Sequence, residues 1–289
     1  MSTHILLTTD NSRLTTMLSF PNCKINIGLN IVSRRPDGYH NLETVFYPVP
    51  LTDALELIRS DTRLETGVRF TQTGLIVAGN PADNLCVKAW QLLKKEYPEL
   101  PAVEMHLHKV IPMGAGLGGG SADGAFALQL LNRFFQLDIP EEKLAALALQ
   151  LGSDCPFFIH NRPAFATGRG ENLEPIPLNL SKYRIVLVNP GIHISTAQAF
   201  TGIRPQTAAL ALKTAISQPL TAWKDSIVND FESTVFPLFP ALKEIKEELY
   251  RQGALYASLT GTGSTLYGIF PKVVLTSFPF PSVWSVYTV

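Results

Sequence analysis

Pro112-Met113-Gly114-Ala115-Gly116-Leu117-Gly118-Gly119-Gly120-Ser121 places five glycines within seven residues. Glycine lets the backbone take positive φ and lets another group come close to the main chain. An apolar helical pattern follows at once, so a glycine-rich turn opens onto a helix N-terminus. Unbonded N–H groups and the positive end of the helix dipole meet there, and together they suit a phosphate. The plainer reading of the same residues is a tight turn. G-x-G-x-x-G is present literally at Gly114, Gly116 and Gly119. A dinucleotide fingerprint, however, follows a near-continuous apolar strand, and the strand-like segment before this loop, residues 103–110, carries Glu104, His106 and His108 at alternate positions. A Walker loop requires a lysine directly before its Ser or Thr, and none precedes Ser121.

Three further stretches hold residues capable of chemistry. In Lys24-Ile25-Asn26-Ile27-Gly28-Leu29-Asn30-Ile31 the aliphatic residues alternate with polar ones, which puts Lys24, Asn26 and Gly28 on one face of a strand. That face could simply be solvated. Asparagine is a poor strand former, though, and a glycine on the same face marks a close approach of something to the backbone. Pro36-Asp37-Gly38 is a turn by composition, and it aims Tyr39 and His40 into a second strand. Asp154, in Gly152-Ser153-Asp154-Cys155-Pro156, either caps a short helix or supplies a carboxylate. Late in the chain, Thr260-Gly261-Thr262-Gly263-Ser264 reads as a hairpin turn or as a second glycine loop beside the first.

The elements that position these residues are legible in outline. Val103–Leu107 alternates as a strand, and Ala122–Phe135 reads as a helix with Ser121 at its cap or in its first turn. Asn80–Leu85 leads into a helix that ends before Pro98. Pro140–Leu151 is a helix with Glu141 and Glu142 in its first turn and Gly152 at its end. Tyr183–Val188 is a buried strand, a short helix spans Thr196–Phe200, and Leu242–Gln252 is an amphipathic helix closed by Gly253. Residues 257–270 read as strand, turn, strand, whereas Ala208–Trp223 shows no clear period. Residues 1–18 are rich in Thr and Ser and read as a disordered leader, with Met17 as a possible natural start.

The totals narrow the function classes. The chain has 289 residues, 46% of them hydrophobic, which is ample for one or two cored domains. A formal net charge of +0 from 24 basic and 24 acidic residues shows no nucleic-acid footprint. No apolar run approaches the roughly 20 residues of a membrane span, and no signal-peptide pattern opens the chain. Cys23, Cys86 and Cys155 lack the spacing of a metal or redox motif and read as reduced thiols of a cytoplasmic protein.

Taken together, the strand with Lys24, R-R-P-D-G-Y-H at residues 34–40, P-M-G-A-G-L-G-G-G-S, G-S-D-C-P-F-F and L-T-G-T-G-S resemble the GHMP kinases, in the same order along the chain. Within that family, R-R-P-D-G-Y-H resembles the branch acting on a cytidine-diphosphate methylerythritol in non-mevalonate isoprenoid synthesis. The resemblance implies an α+β fold with a ribosomal-S5-domain-2-like N-terminal domain, residues 19–170, and a ferredoxin-like C-terminal domain, residues 171–289. It implies transfer of the ATP γ-phosphate, with Mg²⁺, to the substrate 2-hydroxyl. Lys24 and Asp154 would be catalytic, and Asn26, Tyr39 and His40 would bind the acceptor. ATP would lie on Asn84, Lys109, Pro112, Met113, Gly114, Ala115, Gly116, Leu117, Gly118, Gly119, Gly120, Ser121 and Ala122. Ser121 is the candidate Mg²⁺ ligand, and Thr260, Gly261, Thr262 and Gly263 would support the phosphate loop. A homoserine- or mevalonate-type kinase and a catalytically inactive nucleotide-binding regulator are the alternatives. The short, Pro-rich end after Phe270 departs from the pattern, as a terminal helix is reduced there.

Overall fold

The computed structural model describes residues 6–7, 16–60, 64, 67–76, 79–205, 210–272 and 278–289. Along the chain these form β1 (Leu6–Leu7), β2 (Thr16–Ser19), β3 (Asn22–Arg34), β4 (His40–Thr52), β5 (Ala54–Arg59), β6 (Val68–Gly74), α1 (Leu85–Glu96), β7 (Val103–Lys109) and α2 (Gly119–Phe134). There follow α3 (Glu141–Leu151), α4 (Cys155–His160), β8 (Ala164–Gly168), β9 (Asn172–Pro175), β10 (Tyr183–Asn189), α5 (Thr196–Phe200), α6 (Leu212–Ile216) and α7 (Trp223–Ser226). The last elements are α8 (Glu232–Leu238), α9 (Pro240–Arg251), β11 (Tyr256–Leu259), β12 (Leu266–Pro271) and β13 (Ser285–Thr288).

Two compact units divide the chain, and neither is continuous in sequence. One holds Met1–Cys23, Pro50–Met113 and Gly118–Asn161; the other holds Lys24–Val49, Gly114–Leu117 and Arg162–Val289. Lys24 and the middle of the glycine loop thus group with the C-terminal part of the chain.

The first unit is built on a five-stranded sheet in the order β1-β2-β5-β7-β6, with only β6 and β7 parallel. The period of two decides its faces. Leu55, Leu57, Val103, Met105 and Leu107 are buried, while Glu56, Glu104 and His106 alternate with them on the other side. Asn84 starts α1 by accepting the Cys86 N–H on its side-chain oxygen, and the helix buries Val87, Ala89, Trp90 and Leu93. Helix α2 is apolar almost all round and buries eleven of its sixteen residues, as a helix packed on several sides must. Residues 16–18, assigned to the leader from composition, are instead the first part of β2, which pairs with β5 and buries Met17. Sheet pairing and one buried apolar side chain outweigh the weak Thr-rich pattern. The rest of the proposed leader falls largely outside the described residues.

The second unit carries two four-stranded sheets, β3-β4-β8-β9 and β11-β12-β10-β13. The amphipathic stripe of α9, Leu242, Ile245 and Leu249, packs with Val186, Val188, Leu259, Leu266 and Phe270 of the second sheet. Where no period was legible, between Ala208 and Trp223, the described residues form the short α6, a 3₁₀ turn at Leu220–Ala222 and the start of α7. Residues 206–209 lie outside the described set. The chain end supplies β13, an edge strand on β10 with Leu187 opposite Tyr287. Among the described residues no helix is long and apolar enough to cross a membrane.

Candidate active site

Lys24 and Asn26 lie on β3, and the face they share is buried, with 4% and 2% of each residue exposed. A lysine so placed needs partners for its charge. Its Nζ donates to Asn26 Oδ1 at 2.5 Å and lies 4.8 Å from the centre of the Phe46 ring. Asn26 is fixed in turn: its backbone N–H donates to Thr260 Oγ1 at 3.0 Å, and its Nδ2 donates to Thr44 Oγ1 at 3.0 Å. The hydroxyl of Tyr267 donates to the Asn26 carbonyl at 2.9 Å. Gly28, on the same face, has φ +67°, and a Cβ there would stand 2.7 Å from Leu212 Cδ1. Packing, rather than a ligand, accounts for that glycine.

Thr260 joins this strand to the glycine loop within the same unit. Its hydroxyl donates to the Gly116 carbonyl at 3.0 Å. The Lys24 N–H donates to the Leu117 carbonyl at 3.0 Å, and the Thr265 N–H donates to Ala115 at 3.2 Å. At Gly116, with φ +80°, a Cβ would sit 1.9 Å from the Thr260 carbonyl oxygen. The segment Gly114–Leu117 therefore rests directly on the turn Thr260–Gly263.

The same unit carries the Pro-Asp-Gly turn. Arg35 and Asp37 close it, with Arg35 Nη2 2.8 Å from Asp37 Oδ2, and this hydrogen-bonded pairing holds the Asp37 carboxyl below its usual range. The Tyr39 N–H donates to Asp37 Oδ1 at 3.1 Å. Tyr39 is 57% exposed, with the Arg169 guanidinium 5.2 Å from its ring centre. His40 stacks on Phe200 at 4.7 Å and 21°. Neither Arg169 nor Phe200 carries a motif signal. Phe200 falls in a legible helix, but nothing in the sequence relates it to His40.

The remaining candidates lie in the first unit. Gly118, left-handed at φ 70°, is the N-cap of α2, and Ser121 is the third residue of the helix rather than its cap. The first intrahelical bond runs from the Ala122 N–H to the Gly118 carbonyl. The N–H groups of Gly119, Gly120 and Ser121 thus have no intrahelical acceptor. Asp154 precedes α4 but makes no side-chain cap to it, so the capping explanation for this residue fails. The neighbouring Cys155 is buried, and burial pushes its thiol up to about 12.

Lys109 departs from the expected ATP contact. Its side chain is fully buried, with Nζ 2.5 Å from Asp53 Oδ2 and 2.8 Å from Asp123 Oδ2. Burial works against the ammonium, but the two carboxylates outweigh it and hold Lys109 charged. An ammonium enclosed in this way is not presented to a nucleotide. The side-chain oxygen of Asn84, likewise, is engaged in capping α1.

Among the described residues no group of three or more His, Cys, Asp or Glu could hold a metal ion. Ser121 offers one hard hydroxyl oxygen, the kind of single protein ligand that Mg²⁺ accepts beside nucleotide phosphates.

Comparison with known proteins agrees with this chemistry. Residues 84–162 match the GHMP kinases N terminal domain, and residues 211–273 match the GHMP kinases C terminal domain. A relative from Bacteroides thetaiotaomicron, named 4-diphosphocytidyl-2-C-methyl-D-erythritol kinase, is 53% identical over 88% of this chain and 92% of its own length. A crystal structure of 4-(cytidine 5'-diphospho)-2C-methyl-D-erythritol kinase superposes with a TM-score of 0.75 at 31% identity, covering 88% of this chain and 90% of that one. A homoserine kinase from Cytophaga hutchinsonii shares the fold alone, with a TM-score of 0.65 at 15% identity over 98% of this chain and 96% of its own. By sequence over nearly its whole length and by fold, the chain belongs to the GHMP kinases, within the family of the 4-diphosphocytidyl-2-C-methyl-D-erythritol kinases.

Proposed function

We propose that the chain transfers the γ-phosphate of ATP to the 2-hydroxyl of 4-diphosphocytidyl-2-C-methyl-D-erythritol, as a cytoplasmic enzyme of isoprenoid precursor synthesis. One observation carries the phosphoryl-transfer reading: Gly118 turns the chain so that three successive N–H groups open a sixteen-residue helix. Such a helix start suits the phosphates of a nucleotide. The identity of the acceptor is supported by the names of the relatives.

In this reading the acceptor oxygen attacks the γ-phosphorus. The bond from that phosphorus to the β–γ bridging oxygen breaks, and ADP leaves. The hydroxyl proton passes to the Asp154 carboxylate. An aspartate is too weak a base to deprotonate a free alcohol beforehand, so the proton moves late, as the new O–P bond forms. Lys24, held by Asn26, supplies positive charge to the developing negative charge. Thr260–Gly263 keep the middle of the glycine loop in place. Bound with the nucleotide, Mg²⁺ would offset the phosphate charge, and Ser121 is the residue that would offer it a hydroxyl oxygen.

Tyr39 and His40 are the candidate cytidine contacts. A pyrimidine stacked on an aromatic ring is worth about 1–3 kcal/mol, and a lost hydrogen bond to a buried polar edge costs about as much. Tyr39→Ala and His40→Ala are therefore expected to raise KM for the cytidine acceptor roughly 10- to 100-fold, with KM for ATP little changed. The uridine analogue, which reverses a donor and an acceptor on the base edge, is expected to be a poor substrate. Steady-state kinetics with both acceptors checks this. A rise in KM for ATP instead, or equal use of the uridine analogue, removes Tyr39 and His40 from the acceptor site.

A further inference from the structure

A buried ion cluster in the first unit has no part in the phosphoryl transfer described above. The side chains of Lys109 and Asp53 are 0% exposed and that of Asp123 is 3% exposed. Such clusters are weak stability devices, because well-packed apolar residues often serve as well. Their partners therefore suggest what they do. Asp53 Oδ1 accepts the Val110 N–H at 2.6 Å and the Ile111 N–H at 2.9 Å. These are the two residues that lead from β7 into Pro112-Met113. Its own N–H donates to the Pro21 carbonyl at 2.9 Å, which fixes Asp53 to the strand entry before it. On the other side, Asp123 is the fifth residue of α2. Lys109 Nζ lies 3.2 Å from where a Cβ on Gly119 would stand, at the first residue of that helix. One ammonium and two carboxylates thus tie the segment entering the glycine loop to the helix turn leaving it.

We propose that Asp53, held by Lys109 against Asp123, is a positioning residue for the nucleotide. It fixes the spacing between the end of β7 and the first turn of α2, and with it the aim of the Gly119–Ser121 amides. The inference rests on the reading that these amides hold the phosphates of ATP. Asp53 touches no phosphate in this account; it acts through the backbone of Val110 and Ile111. The side chain must be an anion for this. In Asp53→Asn the amide oxygen could still accept from the two N–H groups, but the amide nitrogen would then face the Lys109 ammonium, donor against donor.

The test measures MgATP affinity by calorimetry, both KM values, and thermal stability for the wild type, Asp53→Asn and Asp53→Glu. Asp53→Asn is expected to weaken MgATP binding about 10-fold or more, the scale of losing hydrogen bonds to a charged group, with the acceptor KM nearly unchanged. Asp53→Glu keeps the charge and shifts the oxygens by about one methylene; it is expected to fold and to show the same selective loss in smaller measure. Where Asp53→Asn does not fold, Asp53→Glu decides. A merely structural role would lower the melting temperature and leave both KM values of the folded enzyme alone; that result overturns the proposal. A wild type that does not bind MgATP brings down the nucleotide reading and this inference with it. A wild type that binds, with folded variants that bind equally well, brings down this inference alone.

Discussion

Asp154→Asn and Lys24→Met are each expected to lower kcat by about 10²-fold or more, the scale of general-base and charge-stabilising catalysis. Asp154 stands at the entrance to α4 without capping it, so its exchange for asparagine costs no helix cap. What is lost is the acceptor for the hydroxyl proton. Lys24 is buried, and an alanine would leave a cavity. Methionine keeps the volume and removes the charge. Asn26 loses the Nζ donor but keeps its bonds to Thr260 and Thr44. MgATP affinity is expected to persist in both variants. The link from position 24 to the glycine loop is a backbone bond, from the Lys24 N–H to the Leu117 carbonyl, and substitution of the side chain does not touch it. Steady-state kinetics with a nucleotide titration on the same preparations decides the matter. Turnover close to wild type in either variant would remove that residue from the mechanism.

Gly116→Val is expected to abolish MgATP binding and to destabilise the fold by several kcal/mol. Two costs add. A non-glycine residue at φ +80° is strained by about 1–2 kcal/mol, more for a β-branched side chain. The new Cβ would also fall 1.9 Å from the Thr260 carbonyl oxygen, far inside any real contact. Backbone faces backbone there, so no side chain can rotate away. The loop has to lift from the Thr260–Gly263 turn, and the bonds from Thr260 Oγ1 to Gly116 and from the Thr265 N–H to Ala115 go with it. Gly114→Ala is the control. Its φ is also positive, at +62°, but the nearest atom to a Cβ is 3.8 Å away, on His193. It carries the strain without the collision and is expected to cost about 1 kcal/mol. Thermal unfolding and MgATP titration of the pair check the distinction. Equal effects at the two positions would show that close contact with Thr260 does not matter.

What could be read from the sequence was whatever is encoded locally. Strand, glycine turn and helix start follow one another without interruption from Val103 to Phe134, so the phosphate-type motif and its supporting elements were legible together. The period of two gave the shared face of Lys24 and Asn26, although not its burial, because a strand with one polar face reads the same whether water or protein covers that face. The hairpin around Thr260–Gly263 was legible from its turn residues. What was not legible depends on distant partners. Lys109 looks like a phosphate ligand until Asp53, 56 residues earlier, is found against it. His40 and Phe200 are 160 positions apart and stack only in the fold. The short helices α6 and α7 are too brief to display a helical period. The end strand β13 was hidden by the Pro-rich stretch before it. The compact units interleave along the chain, which no boundary drawn at a single residue can express.

The central claim is the reaction itself, and the most direct measurement is ATP turnover by the purified chain with 4-diphosphocytidyl-2-C-methyl-D-erythritol, set against homoserine and mevalonate, with the product identified by phosphorus NMR. The account predicts one ADP formed for each phosphate ester on the 2-hydroxyl of the cytidine-bearing acceptor, with negligible turnover of the other two. Turnover of homoserine or mevalonate in preference to the cytidine acceptor, or no ester from any of the three by a chain that binds MgATP, would contradict it.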